Sequence, residues 1–117
     1  MPTLRRIAPE LPVFNLSKFL DYYEKKLGFR KVMSMPNGDY AIVERDGVAI
    51  HLFTAGQSNG PGSIHPFVEG LDELYSEFEA AGAQIKQSIV RKPWGNRDFR
   101  VIDDFGNEIK FTESVED

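Results

Sequence analysis

Cysteine is absent from the 117 residues. That one absence excludes a disulfide framework, a thiolate metal site and a cysteine nucleophile. Tryptophan is nearly absent: Trp94 is the single copy. Long apolar runs are missing too. None follows the arginines of the opening MPTLRRIAPEL, so no signal peptide is read there, and no stretch is long enough to span a bilayer. The expectation is a soluble, cytoplasmic protein with no membrane partner. Positive charge is not in excess either. Fourteen Lys and Arg against eighteen Asp and Glu give a formal net charge of −4. That argues against nucleic acid as a partner, because phosphate binding needs clustered cations. It leaves room for a cationic small molecule.

What is present is ordinary globular composition, with 41% hydrophobic and 27% charged residues. This length suffices for one domain with a real core. Residues 7–14 carry Pro9 and Pro12 among apolar side chains. Proline cannot donate to a ladder, so the segment reads as an edge strand or an exchanged arm. Asn15 is a good helix N-cap. Leu16, Phe19, Leu20, Tyr23 and Leu27 then recur at helical spacing and make one core-facing stripe. Lys25 and Lys26 suit the last turn, and Gly28 is expected to close the helix. Strands are expected over 29–35, 39–45 and 48–54, separated by turns at Pro36-Asn37-Gly38 and Asp46-Gly47. Residues 55–63, AGQSNGPGS, read as a linker.

The second half has the same order. A strand over 64–69 precedes a helix over 71–81, with Leu71, Leu74, Tyr75 and Phe78 on one face and Gly82 as its cap. A strand over 84–90 leads to the loop Pro93-Trp94-Gly95. A hairpin follows, with strands over 98–103 and 108–112 and a turn at Asp104-Phe105-Gly106-Asn107. Gly-Asn is a strong turn signal. Each half is therefore βαβββ, an internal duplication with modules over about 7–54 and 64–114 of one domain spanning 1–117. The fold class is α+β: two modules whose curved mixed sheets enclose a cleft suited to a ligand.

No nucleophile–base pair is evident, so no catalytic residue is assigned. Asp103 and Asp104 are adjacent, and neighbours on a strand face opposite ways. They read as turn caps.

The pieces YYEKKLGF, RDGVAI, VEGLDELYSEFE, KPWG and DDFGNEIKF together resemble the vicinal oxygen chelate superfamily, which holds glyoxalase I, extradiol dioxygenases and the fosfomycin and bleomycin resistance proteins. The resemblance is strongest to the bleomycin resistance branch and covers nearly the whole chain. It implies a glyoxalase/bleomycin resistance fold in a homodimer whose N-terminal arm, hinged near Pro9, is exchanged between subunits. It also implies a non-catalytic role: sequestration of a planar, cationic glycopeptide of the bleomycin class, metal-free or copper-bound, in clefts between subunits.

Metal-dependent relatives place one ligand on each of four strands. By that resemblance their positions fall on Ala8, His51, Ser63 and Lys110, and only His51 can ligate. One donor of four is not a zinc or manganese site, and a site rebuilt from His51 and His65 would lack carboxylate partners. No metal ligand set and no cofactor are expected. The expected ligand-binding residues are Trp94, Tyr40, His65, Phe67, Phe53, His51 and Met33. For Trp94 the alternatives are a stacking surface, as the resemblance implies, and a wedge buried beneath its loop. His65 and Phe67 stand where the family carries a pair of tryptophans. Tyr40, His51 and Phe53 also fit plain sheet packing, and Met33 also fits a core gap. Asp39, Glu44 and Asp98 read as solvated surface that can line a groove. Two further functions stay open: a metal-dependent lyase, dioxygenase or thiol transferase of the same fold, and a binder of another aromatic small molecule.

Overall fold

The computed structural model describes residues 1–56 and 59–115, so Gln57 and Ser58 of the expected linker lie outside the described residues. The first half forms β1 (Glu10–Val13), α1 (Leu16–Lys25), β2 (Arg30–Ser34), β3 (Tyr40–Arg45) and β4 (Val48–Thr54). The second half forms β5 (Ser63–Ile64), α2 (Leu71–Ala81), β6 (Ile85–Arg91), β7 (Arg97–Ile102) and β8 (Glu108–Glu113). There are two four-stranded mixed sheets, ordered β1-β4-β3-β2 and β5-β8-β7-β6. In each, the first strand runs parallel to the last and the other pairs are antiparallel.

Strand alternation decides which side each residue takes. In the first sheet Leu11, Val13, Ala41, Val43, Ile50 and Leu52 are buried with Leu16, Phe19 and Tyr23 of α1. In the second, Phe99, Val101, Ile109 and Phe111 are buried with Leu71 and Phe78 of α2. The Phe78 ring meets Phe99 at 5.9 Å and Phe111 at 5.2 Å, both edge-on. Each large side chain buried in this way contributes about 1.5–3 kcal/mol. All of them belong to one core that both halves share. Each sheet therefore turns its helix side inward and leaves its other face open.

Tertiary context moved several boundaries. The N-cap is Asn15, whose side chain accepts from the Lys18 amide at 3.2 Å. The C-cap, however, is Lys26 rather than Gly28. Gly28 follows in the left-handed region (φ +73°) and lets Phe29 N–H reach the Tyr23 carbonyl at 2.9 Å. The strand expected over 64–69 is only Ser63–Ile64, because Pro66 has no amide to donate and interrupts the ladder. Phe67 rejoins β8 as a lone bridge opposite Thr112. The first strand starts at Glu10, and Met1–Ile7 before it are exposed, Leu4 and Ile7 almost fully.

The largest difference concerns the final turn. Gly106 takes the left-handed conformation (φ +99°), and Asn107 does not. Asn107 is fully buried. Its amide donates to the Pro12 carbonyl at 2.7 Å and to Asp103 Oδ2 at 2.9 Å, and its Oδ1 accepts from Gly62 N–H at 2.8 Å. Asp103, also buried, caps the turn through Oδ1 and accepts the Tyr23 hydroxyl through Oδ2 at 2.8 Å. Asp104 is exposed. What reads locally as turn chemistry is a polar tie between the two halves.

Candidate functional site: two open sheet faces

On the open face of the first sheet the register sets Tyr40 opposite Phe53 and Ile42 opposite His51, with Glu10 opposite His51 from the other side. Met33 pairs with Ile42 after a bulge and is 38% exposed. It is therefore not a core gap-filler. The Tyr40 hydroxyl lies 2.6 Å from Glu10 Oε2 and 2.6 Å from His51 Nδ1. A hydroxyl carries one proton. Donated to the Glu10 carboxylate, it makes His51 Nδ1–H the donor to Tyr40 and leaves Nε2 as the ring acceptor. The hydrogen bond to Glu10 pushes the Tyr40 phenol up to about 12. Glu44 on the same face pairs with Arg30 at 2.8 Å, and Asp39 is exposed.

On the open face of the second sheet His65 and Phe67 stack with ring centroids 4.6 Å apart, and Phe67 is 60% exposed. His65 Nε2 lies 2.5 Å from the Thr112 hydroxyl. The loop between β6 and β7 stands at the Phe67–Thr112 end of this sheet, where Val90 pairs with Asp98 and Asp98 with Thr112. The loop closes on itself, with Gly95 N–H to the Lys92 carbonyl at 2.9 Å and Lys92 N–H to the Asn96 carbonyl at 2.7 Å. Gly95 has φ +102° and packs on Val115, which a Cβ would meet at 3.1 Å. The Trp94 indole is left 67% exposed. It is no buried wedge.

Asp98 departs from the solvated-surface reading. It is buried, accepts from Gln87 Nε2 at 2.9 Å and sits 3.6 Å from Lys92 Nζ. Its neighbours hold the loop base. The seven expected binding residues thus fall into two sets, Met33, Tyr40, His51 and Phe53 on one sheet and His65, Phe67 and Trp94 on the other. No hydrogen bond or ring contact joins the sets among the described residues. An open groove of about 560 Å³ lies apart from the first set, between Phe29, the β3–β4 turn and α2, with Phe67 on its rim. It is crossed by the paired Arg45 and Glu77, 2.7 Å apart. Its lining comes from distant segments, so no local pattern announces it.

Comparison with known proteins agrees with the fold. Residues 4–111 match the model of the Glyoxalase/Bleomycin resistance protein/Dioxygenase superfamily. A bleomycin resistance protein of Geobacillus stearothermophilus is 32% identical, with 92% of this chain and 95% of that protein aligned. The chain belongs to this superfamily. Among solved structures, TioX from Micromonospora sp. ML1 superposes with a TM-score of 0.80 at 26% identity, covering 93% of this chain and 98% of that one. A bleomycin-binding protein complexed with bleomycin gives 0.81 at 19% identity, covering 95% and 99%, a likeness of fold.

A metal-dependent reaction on this fold needs a gathered donor set, and the residues here do not supply one. No group of three or more His, Asp or Glu side chains is gathered for an ion among the described residues. His51 gives Nδ1 to Tyr40, and its nearest carboxylate, Glu10, is engaged by the same hydroxyl. Lys110 brings a cation where a ligating anion would be needed. No helix among the described residues is long and apolar enough to cross a membrane.

Proposed function

We propose that this protein binds bleomycin-type glycopeptides, metal-free or copper-loaded, and confers resistance by sequestering them without catalysis. The observation that carries the reading is near full-length similarity, at 32% identity, to proteins named bleomycin resistance protein. The exposed rings of Trp94 and Phe67 and the half-buried ring of Tyr40 support it, since large flat side chains on an open sheet face are suited to stacking on a planar ligand. The working form is a cytoplasmic homodimer. Each open face is half of a cleft, and a second copy supplies the other half through the arm that leaves β1 before Pro9. The binding residues are then Met33, Tyr40, His51 and Phe53 from one subunit, with His65, Phe67 and Trp94 from the other.

The test is titration of the purified protein with metal-free and copper-loaded bleomycin, followed by Trp94 fluorescence and calorimetry. Saturable, submicromolar binding at one drug per subunit is the expected result. No binding at high micromolar drug would overturn the reading.

A further inference from the structure

The open face of the second sheet carries a row of side chains whose charge is not repeated on the first. Arg100 pairs directly with Lys110 across β7 and β8, and Gln87 of β6 pairs with Arg100. Ile64 pairs with Ile109, so His65, the next residue, comes level with Lys110 from the parallel strand. The row reads His65, Lys110, Arg100, Gln87. The matching row of the first sheet is Glu10, His51, Ile42, Met33. The duplication has kept the register and reversed the charge.

Like charges directly opposite on neighbouring strands are destabilising, because their Cβ atoms are about 5 Å apart. Arg100 and Lys110 stand so. The surroundings relieve the repulsion only in part. Glu108 accepts from Arg100 Nη1 and pairs with Lys86 at 2.7 Å, while Asp98 faces Lys92 at 3.6 Å. Four cations, Lys86, Lys92, Arg100 and Lys110, are set against two carboxylates. Lys110 has no ion pair or hydrogen bond among the described residues. Arg100 Nε is buried with no acceptor, although a buried donor of this kind normally has one. Burial, then the Lys110 ammonium, holds His65 below the ordinary histidine value. Arg100 adds to this and Asp98 opposes it. The row thus holds three groups that donate to or attract negative charge, and beneath it Arg100 Nε is buried without a partner among the described residues.

We propose that the His65–Lys110–Arg100 row is an oxyanion subsite that receives the carboxylate or sulfonate of an aromatic ligand whose ring lies on Phe67. An oxyanion there pairs with Lys110 and the partly exposed Arg100 side chain and offsets the cross-strand repulsion. A planar acid places its charge on the row and its ring on the neighbouring Phe67, which stacks on His65. This goes beyond the drug-binding reading: it assigns to the His65–Phe67 side of the same cleft a second ligand class, aromatic acids, that would compete with the drug there.

The experiment compares 2-naphthoate with its neutral isostere 2-naphthamide on the intact protein. It follows the His65 ring-proton resonances, assigned with His65→Gln. The chain has two histidines, so the spectrum is simple. Naphthoate is expected to bind saturably, shift the His65 signals and hold at least tenfold tighter than the amide. Lys110→Gln, whose fold is checked by circular dichroism, is expected to erase that preference. Equal affinity for acid and amide, or unmoved His65 signals, overturns the proposal. So does a Lys110→Gln variant that alters self-association by sedimentation while naphthoate has no effect, since the row is then satisfied by the acidic face of a second copy. The bleomycin titration is a separate measurement, and either can fail alone.

Discussion

Tyr40 and His51, on neighbouring antiparallel strands, share a 2.6 Å hydrogen bond on the open face of the first sheet, and the Tyr40 hydroxyl donates to Glu10 at 2.6 Å. The three residues come from β1, β3 and β4, and the sheet register alone brings them together. An exposed carboxylate usually pairs with water. Here it is spent on fixing a phenol, and the phenol fixes an imidazole. Such a chain fixes the His51 ring in one tautomer.

The first prediction is a titration. Tyr40 is held near 12 by Glu10, Tyr22 near 12 by burial, and Tyr23 well above 10.0 by burial beside Asp103. A phenol whose folded value is raised contributes stability that is present below its unfolded value of about 10. That contribution is lost as pH rises through the folded value. The protein is therefore expected to lose stability between about pH 10 and pH 12, the window these values define. In near-ultraviolet phenolate absorbance, Tyr40→Phe should remove one late-titrating component. Glu10→Gln should move that component toward lower pH. An unchanged Glu10→Gln curve would mean that the carboxylate does not hold the phenol.

The second prediction concerns the buried tie. Asn107→Ala strands the Pro12 carbonyl and the Gly62 amide inside the protein. Each buried polar group left without a partner costs about 1–3 kcal/mol. The loss should be on the order of 3 kcal/mol. For a domain a little over 100 residues long Tm falls by about 4 °C per kcal/mol, so thermal unfolding should show a drop on the order of 10 °C. Asp104→Ala, a neighbouring carboxylate on the surface, should stay within about 0.5 kcal/mol of the parent.

These two sites show what the residues disclosed and what they did not. The α1 and α2 stripes, the Asp46-Gly47 turn and β4 were legible because each depends on local periodicity or on local φ preference. Asp46 and Gly47 do both take positive φ, 51° and 80°. Asn107 was not legible. Its partners are Pro12 and Gly62, 95 and 45 residues away, and Gly-Asn next to Asp looks the same in any hairpin. Asp98 was misjudged for the same reason: its exposure depends on Lys92 and Gln87 folding over it. The period-2 pattern put Tyr40 and His51 on the open sheet face but not Glu10, because a parallel edge strand leaves no turn from which its register can be counted. The charge reversal between the matching rows became visible only once both registers were known.

Trp94→Ala separates binding from folding. The indole is 67% exposed, and the loop beneath it is held by backbone bonds and by Val115 against Gly95. Truncation should leave Tm within the range of a surface change, about 0.5 kcal/mol. Drug affinity should fall by about 1–3 kcal/mol, the scale for losing an aromatic anchor. Gly95→Ala probes the loop shape instead. It forces a Cβ into a left-handed position against Val115, so it should weaken both stability and binding.

The last prediction concerns the arm. Leu4 and Ile7 are 99% and 94% exposed in a single chain, and Met1 is fully so. Three large apolar side chains within seven residues gain nothing by standing in water, and each is worth about 1.5–3 kcal/mol when covered. The strand behind them is tied down: His51 N–H donates to the Pro9 carbonyl at 3.0 Å, and β1 pairs with β4 from Glu10 onward. The arm therefore leaves a fixed point and lies exposed, away from its own core. A second copy is the cover that the exchanged-arm reading supplies. Removing residues 1–8 should leave the monomer folded, since no core residue lies in that stretch, but should shift sedimentation from dimer to monomer and abolish drug binding. Leu4→Ser with Ile7→Ser should do the same in part, weakening the dimer while keeping the chain length. A truncated protein that stays dimeric and still binds the drug would show that the cleft is closed by the sheet faces alone, and the arm would lose its role in the site.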